Sequence, residues 1–219
     1  AVCTITNDDN APSLTLNKVV VNDNGGTALE SAWTLNAAGP TPLSGPGAVG
    51  SADVVSNATF DQGTYTLSES AGPAGYTASS WVCTGTGNQV GSTIALDLGE
   101  SAVCTITNDD NSPSLTLVKV VTNDNGGTAT PASFTLTATG PTGFSGAGPS
   151  VSNGASFDAG SYALSESSVA GYSASAWVCV GGTQTGSNIA VALGQSATCT
   201  ITNTDNSPTL NLNKIVVND

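Results

Sequence analysis

Lysine is the only basic residue type in this 219-residue chain, and it occurs three times, as Lys18, Lys119 and Lys214. Lys119 follows Lys18 by 101 residues, and Lys214 follows Lys119 by 95. Against them stand 16 acidic residues, for a formal net charge of -13. A chain that keeps lysine only at one recurring position is not using it for solubility. Two other polar groups recur with it. Glu69 and Glu166 end TYTLSE and SYALSE, and Asn108 and Asn203 sit in CTITNDDN and CTITNTDN. An amine, a carboxyl and a carboxamide therefore repeat as a set. If strands carry them inward, each ammonium must be paired, neutralised or chemically consumed, because an isolated buried charge is very costly.

The elements around them read as strands. Short runs of Val, Thr, Ile and Tyr alternate with Gly, Pro, Asn and Asp clusters, and no long helical period appears, so the chain is expected to be all-β. Side chains alternate faces along a strand. In SLTLVKVV, Leu115, Leu117, Lys119 and Val121 share a face, and the leucines mark it as the core side. Leu14, Leu16, Lys18 and Val20 repeat that set. Tyr162, Leu164 and Glu166 share a face, as do Tyr65, Leu67 and Glu69. Cys199, Ile201 and Asn203 match Cys104, Ile106 and Asn108. Each repeat thus aims one Lys, one Glu and one Asn at its interior.

The repeat is long. SLTLNKVVVNDNGGTA at 13–28 returns as SLTLVKVVTNDNGGTA at 114–129, and AGYTASSWVC at 74–83 returns as AGYSASAWVC at 170–179. Two complete domains are expected, 12–109 and 113–204, each a tandem seven-stranded β-sandwich unit of prealbumin/Ig-like type. In the second, the strands are predicted at 114–122, 132–139, 149–157, 161–166, 171–179, 187–193 and 197–203. Residues 1–9 read as the last strand of a preceding repeat and 208–219 as the first strand of a following one. With no Met and no signal peptide, the chain reads as a mature piece or internal fragment of a longer protein. No apolar run is long enough for a membrane span, and the acidic balance repels nucleic acid.

Cys83 and Cys104 are 21 residues apart, and Cys179 and Cys199 are 20 apart. There is no CxxC and no His, which argues against zinc. The simplest reading is two disulfides plus a leftover Cys3, whose partner is expected outside the chain, and an oxidising, extracellular compartment. Trp81 and Trp177, two residues before a cysteine, are expected to cover the disulfides.

Lys on the first strand, Glu ahead of a GY segment (ESAGPAGY at 69–76, ESSVAGY at 166–172) and Asn ending the last strand resemble the CnaB/SpaA-type prealbumin-like domains of bacterial surface proteins and pilins. The resemblance covers both complete repeats. It implies an intramolecular isopeptide bond between Lys18 and Asn108 assisted by Glu69, and another between Lys119 and Asn203 assisted by Glu166. Lys214 would find its partner outside the chain. The chemistry is sound. Burial lowers a lysine pKa and raises that of a carboxylic acid, so a neutral amine attacks a carboxamide polarised by a protonated Glu. The bland reading is a buried ion pair hydrogen-bonded to Asn, with no bond formed.

Acidic clusters recur at Asp8-Asp9-Asn10, Asp109-Asp110-Asn111 and Asp205-Asn206, and in the NDNGG segments holding Asp23 and Asp124. Asp9, Asp23, Asp110 and Asp124 are candidate Ca2+ ligands at junctions, as hard oxygen donors. The competing reading is turn chemistry, which these residues favour. Asn57-Ala58-Thr59 is a glycosylation sequon. The leading function is a structural tandem repeat of an extracellular bacterial filament, stalk or surface protein, joined to neighbouring copies. A rival is an adhesin module whose loops bind a host ligand or glycan. The divergent loop 39–53, mostly small residues, favours a spacer. A hydrolase has no support, since no His and no repeated nucleophile motif is present, and the chain is read as a non-enzyme.

Overall fold

The alternating run SLTLNKVVV folds as β1 (Ser13–Val21), followed by β2 (Thr34–Ala38), β3 (Leu43–Pro46), β4 (Gly63–Glu69), β5 (Tyr76–Ala78), β6 (Val82–Gly85), β7 (Asn88–Val90), β8 (Thr93–Leu96) and β9 (Ser101–Asp110). The second copy gives β10 (Ser114–Thr122), β11 (Thr135–Thr139), β12 (Phe144–Ala147), β13 (Ser150–Ser152), β14 (Gly160–Glu166), β15 (Tyr172–Ala174), β16 (Val178–Val180), β17 (Thr183–Thr185), β18 (Asn188–Val191) and β19 (Ser196–Asp205). These elements come from a computed structural model that describes residues 1–217. The chain divides into two units after Asn111.

Each unit is a two-sheet sandwich. In the first, β1 pairs with β9, and β5 and β6 share the other edge of β9, while the facing sheet runs β3-β2-β4-β8-β7. In the second, β13-β10-β19-β15 forms one sheet with β16 also on β19, and β12-β11-β14-β18-β17 forms the other. The inward faces meet in one apolar core per unit. In the first it holds Leu14, Leu16, Leu35, Tyr65, Leu67, Ile94, Leu96 and Ile106. In the second it holds Leu115, Leu117, Leu136, Tyr162, Leu164, Ile189, Val191 and Ile201. Burying each such side chain is worth about 1.5–3 kcal/mol.

The first and last strands of each unit run parallel and in register, Ser13↔Ser101 through Val21↔Asp109 and Ser114↔Ser196 through Thr122↔Thr204. That pairing is the frame on which the polar set is mounted.

The strand count exceeds the expected seven, with nine strands in the first unit and ten in the second among the described residues. The single strand expected at 171–179 is two, β15 and β16. Ser175 interrupts it, because its hydroxyl accepts the Thr202 N–H at 3.1 Å and donates to the Ala176 carbonyl at 2.7 Å. Ser79 does the same between β5 and β6 with Thr107 and Ser80. The divergent loop 39–53 contains an edge strand, β3, and the 3-10 turn Ala52–Val54 where the second unit places β13 against β10. Residues 1–12 and 206–217 join no sheet, and Cys3 is exposed. The last two residues of the 208–219 strand expectation lie outside the described residues.

Candidate functional site

Parallel register decides which polar groups meet. Lys18 stands opposite Ile106 and Val20 opposite Asn108, so Lys18 and Asn108 share the inward face two positions apart. Lys119 and Asn203 repeat this through Ile201 and Val121. Glu69 and Glu166 are the last residues of β4 and β14 in the facing sheets. The predicted trio therefore converges from two layers in both units.

In the first unit Lys18 Nζ donates to Glu69 Oε2 at 2.6 Å. Asn108 is buried, and its Oδ1 has no hydrogen-bond partner. In the second unit Lys119 Nζ donates to Glu166 Oε2 at 2.7 Å and to Asn203 Oδ1 at 2.5 Å. Both lysine side chains are 0% exposed, while the glutamates retain 12% and 10%. Burial draws the Lys18 ammonium below the ordinary lysine range, and the hydrogen bond and charge of Glu69 oppose that shift. The arrangement brings an amine, a proton acceptor and a carboxamide together away from water.

An aromatic ring caps each amine. Lys18 Nζ lies 4.6 Å from the Trp33 ring centroid, and Lys119 Nζ lies 4.3 Å from that of Phe134. Each ring is held edge-on by a tyrosine, Tyr76 at 5.4 Å and Tyr172 at 5.8 Å. The lysine stem needs a glycine beside it. A Cβ on Gly47 would lie 2.8 Å from Lys18 Cβ, and one on Gly148 would lie 2.9 Å from Lys119 Cβ. Neither the rings' role nor the glycines' was read from the sequence. Trp33 and Phe134 sit at matching repeat positions and offered the only signal.

Two of the acidic clusters anchor a loop within their own unit, where a place at a junction was expected. Asp110 and Asp205 are the last residues of β9 and β19, not linker residues, and both are buried. Asp110 accepts the backbone N–H groups of Asp23 at 3.1 Å, Asn24 at 3.0 Å and Gly26 at 2.6 Å. Asp205 accepts those of Asp124 at 2.9 Å, Asn125 at 2.9 Å and Gly127 at 2.6 Å. Each carboxylate thus anchors the NDNGG loop that follows the first strand. For Asp205, burial acts to raise the pKa, but the N–H groups of Gly127, Asp124 and Asn125 outweigh it and hold the carboxyl well below the usual range. Burial and the nearby charges of Asp109 and Asp110 push Asp23 up. Asp205 was absent from the candidate ligands, although the alternation Cys199, Ile201, Asn203, Asp205 continues onto the core face.

Asp23, Asp109 and Asp110 offer carboxylate oxygens within 4.8 Å of one another, a set suited to a hard cation. Asp124 has Asp205 beside it, with Thr204 where the first unit has Asp109. Asp9 stands apart, lining a pocket with Asp61, Phe60 and Leu98.

The disulfides join Cys83 to Cys104 and Cys179 to Cys199, directly opposed residues of β6–β9 and β16–β19. Trp81 and Trp177 are buried in the same core clusters as these cysteines. Lys214 is exposed in the segment beyond β19.

A family profile described as a prealbumin-like fold domain matches the chain twice, at residues 9–106 and 110–201. No curated protein matches it. Among solved structures, the Bacillus anthracis TIE protein is similar at 15% identity and TM-score 0.49, over 88% of this chain and 34% of that one. The chain thus spans about a third of that structure's length. A major pilin protein (T3.2) from Streptococcus pyogenes is similar at 15% identity and TM-score 0.44, over 91% of this chain and 99% of that one. A C-terminal fragment of the pilus adhesin SpaC from Lactobacillus rhamnosus GG is similar at 14% identity and TM-score 0.46, over 91% and 99%.

Proposed function

The chain belongs to the prealbumin-like fold domain family, and from that premise we propose that it is a structural tandem-repeat module of an extracellular bacterial filament, stalk or surface protein, each complete domain closed by one Lys–Asn isopeptide bond. The observation that carries the reading is the second unit's site. Lys119 Nζ, fully buried, lies 2.5 Å from Asn203 Oδ1 and 2.7 Å from Glu166 Oε2.

The chemistry follows from that contact. Glu166 takes a proton from the ammonium, which frees a lone pair on Nζ. The amine attacks Asn203 Cγ, the Nζ–Cγ bond forms and the Cγ–Nδ2 bond breaks. Of the three ammonium protons, one stays on the new amide, one leaves with Nδ2 as ammonia and one remains on the Glu166 carboxyl. Packing supplies the proximity that makes an amide a usable electrophile. The step occurs once per domain, so the chain is its own substrate. Lys18, Glu69 and Asn108 take the same roles in the first domain.

The strand geometry supports a mechanical purpose for such a bond. Because β10 and β19 are parallel, tension entering at Ser114 and leaving at Asp205 shears the pair along its whole length. A Lys119–Asn203 bond passes that load directly across it and leaves the residues between unstretched. The same holds for Lys18 and Asn108 on β1 and β9. Neighbouring copies of the repeat are the expected partners, and the disulfides suit an oxidising, extracellular setting.

Single-molecule stretching with the disulfides reduced tests this function. A bridged domain gives no unfolding step. A step of about 30 nm per domain, roughly 3.4 Å for each residue between the bridging pair, would overturn it.

A further inference from the structure

The two sites share their reacting trio, the glycine beside the lysine stem and the tyrosine against the ring. They differ in the ring itself, Trp33 in the first unit and Phe134 in the second. The contacts of the amine differ with it. Under Trp33, Lys18 Nζ donates to Glu69, and Asn108 Oδ1 is left without a partner. Under Phe134, Lys119 Nζ donates to both Glu166 and Asn203. The larger ring is built in. A Cβ on Gly72 would lie 2.0 Å from Trp33 Nε1. Gly72 belongs to ESAGPAGY, which is one residue longer than ESSVAGY in the second unit.

The geometry points to Trp33 and Phe134 as positioning residues that set when each unit closes, the Phe134 unit first and the Trp33 unit later. This rests on the isopeptide reading above. Closure needs the neutral amine. A ring face attracts the ammonium and does nothing comparable for the amine, and indole does so more strongly than benzene. Trp33 therefore works with Glu69 against the neutralising effect of burial and favours Lys18 as a cation that makes no hydrogen bond to Asn108, whereas Phe134 holds Lys119 less strongly and in hydrogen-bond contact with Asn203. The lag of the first unit is about fivefold, the order expected from exchanging these rings over a desolvated cation.

The test is a time course on the full chain made by cell-free synthesis. Samples are quenched at intervals over a series of pH values, digested, and assayed for the Lys18–Asn108 and Lys119–Asn203 cross-linked peptides. The second peptide should appear first. Trp33→Phe should bring the first unit to the pace of the second and move its rate–pH curve to lower pH, since less of the amine is held as ammonium. Phe134→Trp should slow the second unit and move its curve the other way. Equal closure of the two wild-type units overturns the inference and leaves the bond standing. So does a pair of variants that both slow closure with unmoved pH curves, which marks the rings as packing only. Should Trp33→Phe fail to fold, Phe134→Trp decides alone. Absence of both peptides from the wild type removes the isopeptide reading and this inference with it.

Discussion

The two units place the same trio on the same pair of parallel strands, and their Lys–Glu contacts agree at 2.6 and 2.7 Å. They part at the asparagine. Asn203 is engaged by its lysine, and Asn108 is not. Backbone register is shared, so it does not explain the difference. The surroundings do differ. Trp33 replaces Phe134 over the amine, and the 3-10 turn at Ala52–Val54 replaces β13 beside the first strand. The lesson is that strand pairing fixes which groups meet, while the packing around them fixes how closely. A buried amine is costly unless partnered, so small changes in its cage alter its reactivity more than its location.

The comparison is broken most severely by removing the amine. Lys119→Met should abolish ammonia loss in the second unit alone, and Lys18→Met in the first alone. Each should lower that unit's stability by about 4–5 kcal/mol, the chain-entropy value of closing a loop of about 85–90 residues. Calorimetry beside peptide mapping would show it. A variant that keeps its unit's melting temperature would count against a covalent closure there. The disulfides come next. Cys83→Ser with Cys104→Ser should cost roughly 3 kcal/mol in the first unit, and the matching change at Cys179 and Cys199 the same in the second. Unequal losses would show that the two disulfides are not equivalent loop closures.

Acid sharpens the comparison further. The Asp205 carboxyl is held below its unfolded value, so its stabilisation is full above about pH 4 and is lost as pH falls through the folded value. Asp205→Asn should therefore destabilise the second unit at neutral pH, and the gap to the wild type should narrow on acidification below about pH 4. A gap constant with pH would sink that account. The smallest effect concerns cations. Ca2+ should slow proteolysis at the 22–28 loop, where three carboxylates converge, more than at 123–129, where Thr204 replaces one. An equal response of the two loops would argue against a cation site in the first.

The trio was legible in the sequence because alternation along β1, β4 and β9 assigns Lys18, Glu69 and Asn108 to one interior without any knowledge of loops. The disulfide pairs were legible from spacing. Asp110 and Asp205 were misplaced in the linkers, although the same alternation, carried one step further, puts them on the core face. The splitting of the Tyr-to-Cys strand was not legible. It depends on Ser79 and Ser175 hydroxyls meeting Thr107 and Thr202, residues far along the chain. The rings over the amines were hidden for a similar reason, since an aromatic in a strand pattern reads as core and only the fold shows what lies beneath it.

The central claim is a covalent bond, and intact mass under reducing conditions measures it directly. Two complete domains predict a mass lower than the sequence value by two ammonias, with fragmentation locating the links at Lys18–Asn108 and Lys119–Asn203. A mass equal to the sequence value would leave only buried ion pairs and contradict the account.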